Sequence, residues 1–351
     1  MKLATILKKL AISLASMVVL VVGAEIVARI AEPGPFSFLD ESPYVRVPKQ
    51  GHFHKTNFQG RWDGTWYELE SHGMRGDEWK PTFAPEEYRV LAIGDSCTFG
   101  KGVVEEDSWP RQFEHRLAQV LPPGYRALVA NAGVNGYSAR QYLESIQTRG
   151  GLVRPNLIVV GYNLNDFPNQ TKAVDEAVHQ GQGNLRSAIR WDIRNKLGEL
   201  ALFRWLRATY YTMHRERDFA AAEKMASAVK QQGTLDPERT QKEIDRLDGM
   251  LAEARELGAN LCVFLFPYES QVYLEQYDSA AIDWLRGLCE ARGIPFISMV
   301  GDFRTRAFST DPPTQLFIRG DRYHPNPAGY GIVAQRVLDV VRDQGWLPKA
   351  Q

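Results

Sequence analysis

The feature that most restricts the fold is a set of five short apolar segments interleaved with helical patterns. The segments lie near Tyr88–Ile93, Arg126–Ala130, Leu157–Gly161, Leu261–Phe266 and Pro295–Met299. Apolar residues recur at helical spacing near Ser108–Val120, Ala139–Gly151, Glu238–Leu257, Ser279–Arg292 and Asn326–Val341. A strand with one wet face alternates apolar and polar residues. These segments are apolar almost throughout, so both faces must be covered. Helices between the strands supply that cover, and the crossovers that parallel pairing needs. The expectation is an α/β domain with a five-stranded parallel sheet between two helical layers. In open sheets of this kind the site lies beyond the carboxyl ends of the strands.

The first segment ends in Gly94-Asp95-Ser96-Cys97-Thr98-Phe99-Gly100, read as a polar loop ahead of the helix that starts near Ser108. A serine where a strand ends can present its hydroxyl and its backbone N–H to one substrate carbonyl. The tripeptide alone fits an ordinary turn equally well, so it needs a partner. Gly320-Asp321-Arg322-Tyr323-His324-Pro325-Asn326-Pro327 offers one, directly before the last helix. Asp321 can hold one ring nitrogen of His324, leaving the other to take a proton from Ser96. The two prolines stiffen the turn. Cys97 is a second candidate nucleophile by position, but Ser96 completes the pattern better.

Four blocks in this order resemble the SGNH (GDSL-type) hydrolases. Gly94-Asp95-Ser96 with Phe99-Gly100 is similar to the nucleophile block, and Asn131-Ala132-Gly133-Val134-Asn135-Gly136 to the second. Asn163-Leu164-Asn165-Asp166 resembles the third, and Asp321 with His324 the last, so the likeness spans about 88–345. It implies a flavodoxin-like three-layer fold and a serine esterase. Ser96 would be the nucleophile, His324 the base and Asp321 the acid that orients it. The oxyanion donors would be the Ser96 N–H, the Gly136 N–H (Gly133 is the alternative) and the Asn165 side chain. Asp95 and Asp166 would brace the turns. No metal or organic cofactor is implied. The acyl group is expected to be short, such as acetyl, on a small-molecule or glycan-linked ester. Two other readings share these residues: an O-acyltransferase acting on an extracytoplasmic polysaccharide, and a non-catalytic binding module. One departure is Asn163, where the family usually has glycine, which puts the backbone of the third block in question.

Charge excludes one class of partner. The 351 residues carry 42 Lys and Arg against 42 Asp and Glu, and no nucleic-acid motif is present. Three cysteines are too few for a disulfide framework. Cys262 falls in an expected strand and Cys289 in an expected helix, as buried thiols. His52 and His54 alternate, but no further ligands follow at metal-like spacing, so no zinc site is expected.

Lys2, Lys8 and Lys9 precede an apolar run from Leu10 to Ala24. That run makes about 22 Å of helix, and extending it to Ile30 makes about 31 Å, enough for the ~30 Å hydrocarbon core. The extension includes Glu25 and Arg29, which would have to reach toward water at the far interface. The expectation is an uncleaved anchor, N-terminus inside, with the remaining chain on the extracytoplasmic side. The alternative is a signal peptide cleaved after Val22-Gly23-Ala24, releasing a secreted protein.

The expected organisation is therefore an anchor or signal segment (1–31), an extended leader (32–87) and a hydrolase domain (88–346) with an insertion at 168–237. The leader is rich in proline and aromatics and is expected to add one or two strands. Gly73-Met74-Arg75-Gly76 within it reads as a turn, with no catalytic role for Arg75. The insertion carries helical patterns over Leu185–Tyr211 and Met213–Lys230, rich in aromatics, leucine and arginine. A packed amphipathic helix, a lid that sets specificity, a lipid contact and a cradle for an acidic polymer all fit that composition. Oligomeric state is not legible.

Overall fold

The computed structural model describes residues 2–32, 40–47, 51–80, 82–166, 197–214, 237–275, 277 and 279–349. The chain opens with α1, Lys2–Ala31, about 45 Å long at 1.5 Å per residue. Most of its large apolar side chains, Ile6, Leu14, Val19 and Leu20 among them, are more than half exposed. By length and composition α1 can cross a membrane, as a signal sequence also could.

The leader holds more strand than expected. Strands β1 (Tyr44–Val47) and β2 (Gly51–His54) form one antiparallel hairpin, β3 (Phe58–Trp62) and β4 (Thr65–Leu69) another. The second turns through Asp63-Gly64, both with positive φ, the geometry that matches strand twist in a two-residue hairpin. An Asp-Gly pair between aromatic runs is the readable signal for it.

The main sheet consists of β5 (Glu87–Gly94), β6 (Arg126–Asn131), β7 (Leu157–Tyr162), β8 (Asn260–Leu265) and β9 (Phe296–Ser298). All pairs are parallel, in spatial order β6-β5-β7-β8-β9. The chain leaves β5 to pair on one side, then returns to pair on the other. That switch point opens a crevice at the carboxyl end of β5.

Helices cover both faces. After β5 come the one-turn α2 (Ser96–Phe99) and α3 (Trp109–Ala118), and after β6 comes α4 (Ala139–Val153). The later helices are α5 (Ala201–Met213), α6 (Pro237–Glu256), α7 (Glu269–Tyr273), α8 (Ala280–Glu290), α9 (Val300–Ala307) and α10 (Pro327–Asp343). Alternate residues of each strand enter opposite cores. Leu91 and Ile93 pack with Tyr142, Ile146 and Met250, while Val90 and Ala92 pack with Trp109, Phe113 and Val337. The expected five strands and five helices fall within a few residues of their predicted places. Helices α7 and α9 were not expected, being short pieces with less than two and about two turns of pattern. Of the insertion's two predicted helical patterns, only 197–214 is described. Its remainder lies outside the described residues.

Candidate active site

Strand β5 ends at Gly94, and Ser96 is not in a loop as the sequence suggested. It opens α2. Asp95 makes that possible as the N-cap, its carboxylate accepting the Cys97 N–H at 2.9 Å. The first N–H groups of a helix have no carbonyl one turn back, so the Ser96 N–H has no acceptor within α2. Ser96 is half-buried, whereas Cys97 behind it is fully buried. Burial, reinforced by the nearby carboxylates of Asp95, Asp321 and Asp166, pushes the Cys97 thiol well above its usual range. Its sulfur lies 3.4 Å from the Tyr323 carbonyl oxygen. A protonated, enclosed thiol is not a nucleophile.

The turn before α10 is closed by its own backbone: the Asp321 N–H donates to the Ile318 carbonyl at 2.9 Å, and Ile318 N–H to the His324 carbonyl at 3.0 Å. Asn326 caps α10 by accepting the Gly329 N–H at 3.0 Å, with Pro327 in the first helical turn. This holds His324 two residues from a fixed helix start. Its Nδ1 lies 2.7 Å from Asp321 Oδ2, and its Nε2 lies 2.8 Å from Ser96 Oγ. With Nδ1–H donating to the carboxylate, Nε2 is the acceptor for the serine hydroxyl. Burial opposes ionisation of Asp321, but the adjacent His324 and the N–H groups of Tyr323 and His324 outweigh it. They hold the carboxyl well below the usual carboxylate range.

The third block is tied to the first by the residue that departs from the family. Asn163 Nδ2 donates to Asp95 Oδ2 at 3.2 Å and approaches Cys97 Sγ at the same distance. Its Oδ1 accepts the Leu164 N–H at 2.7 Å. Asn163 is absent from the residues with positive φ, so its backbone carries no strain that glycine would relieve. Asp166 is a brace: Oδ2 accepts the Tyr142 hydroxyl and the Asn163 N–H, both at 2.8 Å. Burial and the Asp95 charge push its carboxyl well up, and burial likewise raises Asp95. The backbone of Asn165 lies in the short 3-10 turn Leu164–Asp166. Its side chain is outside the described residues.

The two glycines proposed for the second block differ sharply. The Gly133 N–H is already donated to Asn131 Oδ1 at 3.1 Å. A Cβ there would sit 2.3 Å from the Phe99 nitrogen, so this glycine serves close packing against α2. Gly136, at φ +73°, has open space around it, and its N–H meets no acceptor among the described residues. The leader holds this loop in place. His52 Nε2 bonds the Asn135 carbonyl at 2.6 Å, and the Tyr137 hydroxyl donates to the His52 carbonyl at 2.9 Å. His54 is fully buried, its Nδ1 on the Gly73 carbonyl, and burial pushes its pKa down to about 3.

One residue of the site was given no role by sequence reasoning. Arg75 is buried and donates to the carbonyls of Phe99 (2.6 Å), Gly100 (2.7 Å) and Val103 (2.7 Å), at the C-terminal end of α2. Its guanidinium also lies over the rings of Tyr67 and Phe99. Arg75 itself bridges β4 and the end of β6. A cation at a helix C-terminus satisfies orphan carbonyls and complements the helix dipole.

No curated protein matches the chain. Solved structures that resemble it include TesA (14% identity, TM-score 0.41, 72% of this chain and 98% of that one). The acetyl xylan esterase AlAXEase is another (13%, 0.40, 72% and 98%), as is the psychrotrophic esterase EstA from Pseudoalteromonas sp. (11%, 0.41, 74% and 98%). At these scores none of them bears on what the chain does. The profile of the GDSL-like Lipase/Acylhydrolase family, however, matches residues 92–332, more than half of the chain and the whole stretch from β5 into α10. The chain belongs to the GDSL-like lipase/acylhydrolase family of ester hydrolases.

Proposed function

We propose that the protein is a membrane-anchored serine esterase that hydrolyses an O-acyl ester outside the cytoplasm. The observation that carries this reading is the unbroken line from Ser96 Oγ to His324 Nε2 (2.8 Å) and from His324 Nδ1 to Asp321 Oδ2 (2.7 Å). Ser96 Oγ attacks the ester carbonyl as His324 takes its proton. The oxyanion is held by the N–H groups of Ser96 and Gly136 and by the Asn165 side chain. Collapse expels the alcohol, which receives the proton from His324 and leaves an acyl-serine. Water then attacks the acyl carbon, giving up its proton to His324. The departing Ser96 oxygen takes that proton back, and the carboxylic acid is released. Asp321 stabilises the imidazolium in both steps. The acyl group proposed is short, such as acetyl.

The anchor reading rests on α1 and its flanks. Lys2, Lys8 and Lys9 lie at its start, which favours retention of that end inside. The hydrolase domain then lies on the extracytoplasmic side.

The test compares hydrolysis of p-nitrophenyl acetate and longer-chain esters by the full chain and by Ser96→Ala. Loss of activity in the variant, with preference for the short ester, is expected. Fluorophosphonate labelling at Ser96 without hydrolysis would instead point to acyl transfer onto another acceptor. Neither labelling nor hydrolysis would sink the reading.

A further inference from the structure

Helix α5 has two faces with different partners. Its buried side braces the turn that carries Asp321 and His324: Ala208 packs where a Cβ on Gly320 would lie 2.7 Å away. The Tyr211 hydroxyl donates to Glu269 Oε2 at 2.6 Å, and the Arg322 guanidinium lies over the Tyr211 ring. Arg319 reaches the hydroxyls of Thr209 and Thr212, each at 3.3 Å. The opposite side is apolar and exposed. Leu206, Tyr210 and Met213, spaced i, i+4, i+7, are 51%, 62% and 74% exposed, and Trp205 beside them is 55% exposed. Tyr210 stacks on His214 of the next turn, and the exposed Arg207 flanks the stripe.

The start of α5 is fixed to α1. Leu200 at the N-cap offers no side-chain acceptor, and the cap comes instead from Glu25 of α1, which accepts the N–H groups of Ala201 (2.9 Å) and Leu202 (2.8 Å). Arg29 locks the joint by donating to Glu25 (2.7 Å) and to the Glu199 carbonyl (2.7 Å). Arg204 of α5 pairs with Glu32 (2.7 Å) and Asp40 (3.2 Å) just past the end of α1. Glu25 is the first charged residue after the apolar run, so the joint stands where α1 leaves the hydrocarbon. The two residues expected to reach toward water instead hold a helix whose free face is apolar and carries Trp and Tyr. Amphipathic helices with such a face settle at the boundary of headgroups and acyl chains.

We infer that α5 is an interfacial helix, with Trp205, Leu206, Tyr210 and Met213 set into the lipid of the leaflet where α1 emerges. The inference rests on the reading of α1 as a membrane span. Its consequence is that the Asp321–His324 turn stands about one helix diameter, ~10 Å, above the bilayer surface, so the site works on esters presented at that surface.

The test uses the full chain in phosphatidylcholine–phosphatidylglycerol vesicles. Single variants Leu206→Cys, Met213→Cys, Val19→Cys and Arg126→Cys are labelled with an environment-sensitive maleimide. The natural cysteines are buried, and Arg126 lies at the edge of the sheet away from the site. Brominated lipids are expected to quench the labels at 206 and 213 at least about twofold more than at 126, as insertion to a depth of roughly 5–10 Å requires. Quenching at 19 with none at 206 and 213 beyond that at 126 would overturn the interfacial helix and leave the anchor standing. No quenching at 19 would overturn the anchor, and the inference with it. A blue shift at 206 and 213 that grows with protein density and ignores bromine would place a second copy on this face, and would also overturn the inference.

Discussion

Arg75 donates to the carbonyl of Phe99 at 2.6 Å, and so grips the far end of the helix that Ser96 begins. Asp95 holds the near end. Ser96 is thus set by two side chains, one at each end of its helix. Arg75→Met keeps the bulk but strips three carbonyls of a charged donor, at roughly 2–4 kcal/mol. Per folded molecule, kcat and the rate of fluorophosphonate labelling at Ser96 should fall about 10- to 100-fold, the scale of a misplaced reacting group. Arg75→Lys should rescue only part, because an ammonium lacks the planar fork. Urea titration gives the stability, and labelling of the folded fraction gives the positioning. Labelling at the wild-type rate would reduce Arg75 to a structural residue.

Gly133 and Gly136 are separable by the same substitution. Gly133→Ala drives a Cβ into the backbone of Thr98 and Phe99, atoms that cannot rotate away. It should cost about 1–3 kcal/mol and displace Ser96, with most activity lost. Gly136→Ala meets nothing closer than His52 Cε1 at 3.9 Å, so only its left-handed backbone is penalised, by about 1–2 kcal/mol. Its stability loss should be the smaller, yet kcat should still fall, because the loop must relax and turn its N–H. Equal stability losses would contradict the packing role of Gly133.

The contrast between Ser96 and Arg75 explains what was legible. Ser96, Asp321 and His324 each stand where an apolar pattern stops, and two of them are three residues apart. The five strands were legible because burial on both faces leaves no polar positions. The hydrogen-bond acceptors of the Arg75 guanidinium lie 24 to 28 residues away and are all main-chain carbonyls, which no side-chain pattern encodes. Glu25 and Arg29 look like defects in an apolar run until α5, some 170 residues later, is placed beside them. Asn163 looks like a blemish in its block, yet its amide is what joins Asp95 to the end of β7.

Asp166 makes a pH prediction with a definite sign. Its carboxyl is raised above the ordinary 3.8, first by burial and then by the Asp95 charge. A raised carboxyl favours the folded state while protonated, so the wild type loses stability as pH rises from 3.8 through the folded value. Asp166→Asn cannot ionise and keeps an acceptor for Tyr142 and the Asn163 N–H. The variant should match the wild type in acid and be the more stable at neutral pH. Urea midpoints from pH 4 to 8 check this, and a variant advantage that shrinks toward neutrality would refute it.

Asp321 has the opposite sign and a different consequence. Its folded pKa is depressed, so its contribution to stability is complete above the unfolded value of 3.8 and disappears as pH falls through the folded one. Asp321→Asn should therefore be less stable than the wild type at neutral pH, and the gap should close only in strong acid. Activity should suffer far more than stability. An amide lacks the charge that stabilises the imidazolium, and it can present a donor to Nδ1, which turns the ring to the wrong tautomer. A loss in kcat of about 10³–10⁴-fold is expected, with KM little changed. The readouts are p-nitrophenyl acetate kinetics near neutral pH and urea midpoints from pH 7 downward. A loss of activity no larger than the unfolded fraction accounts for would remove Asp321 from the chemistry and leave it as a brace for the turn.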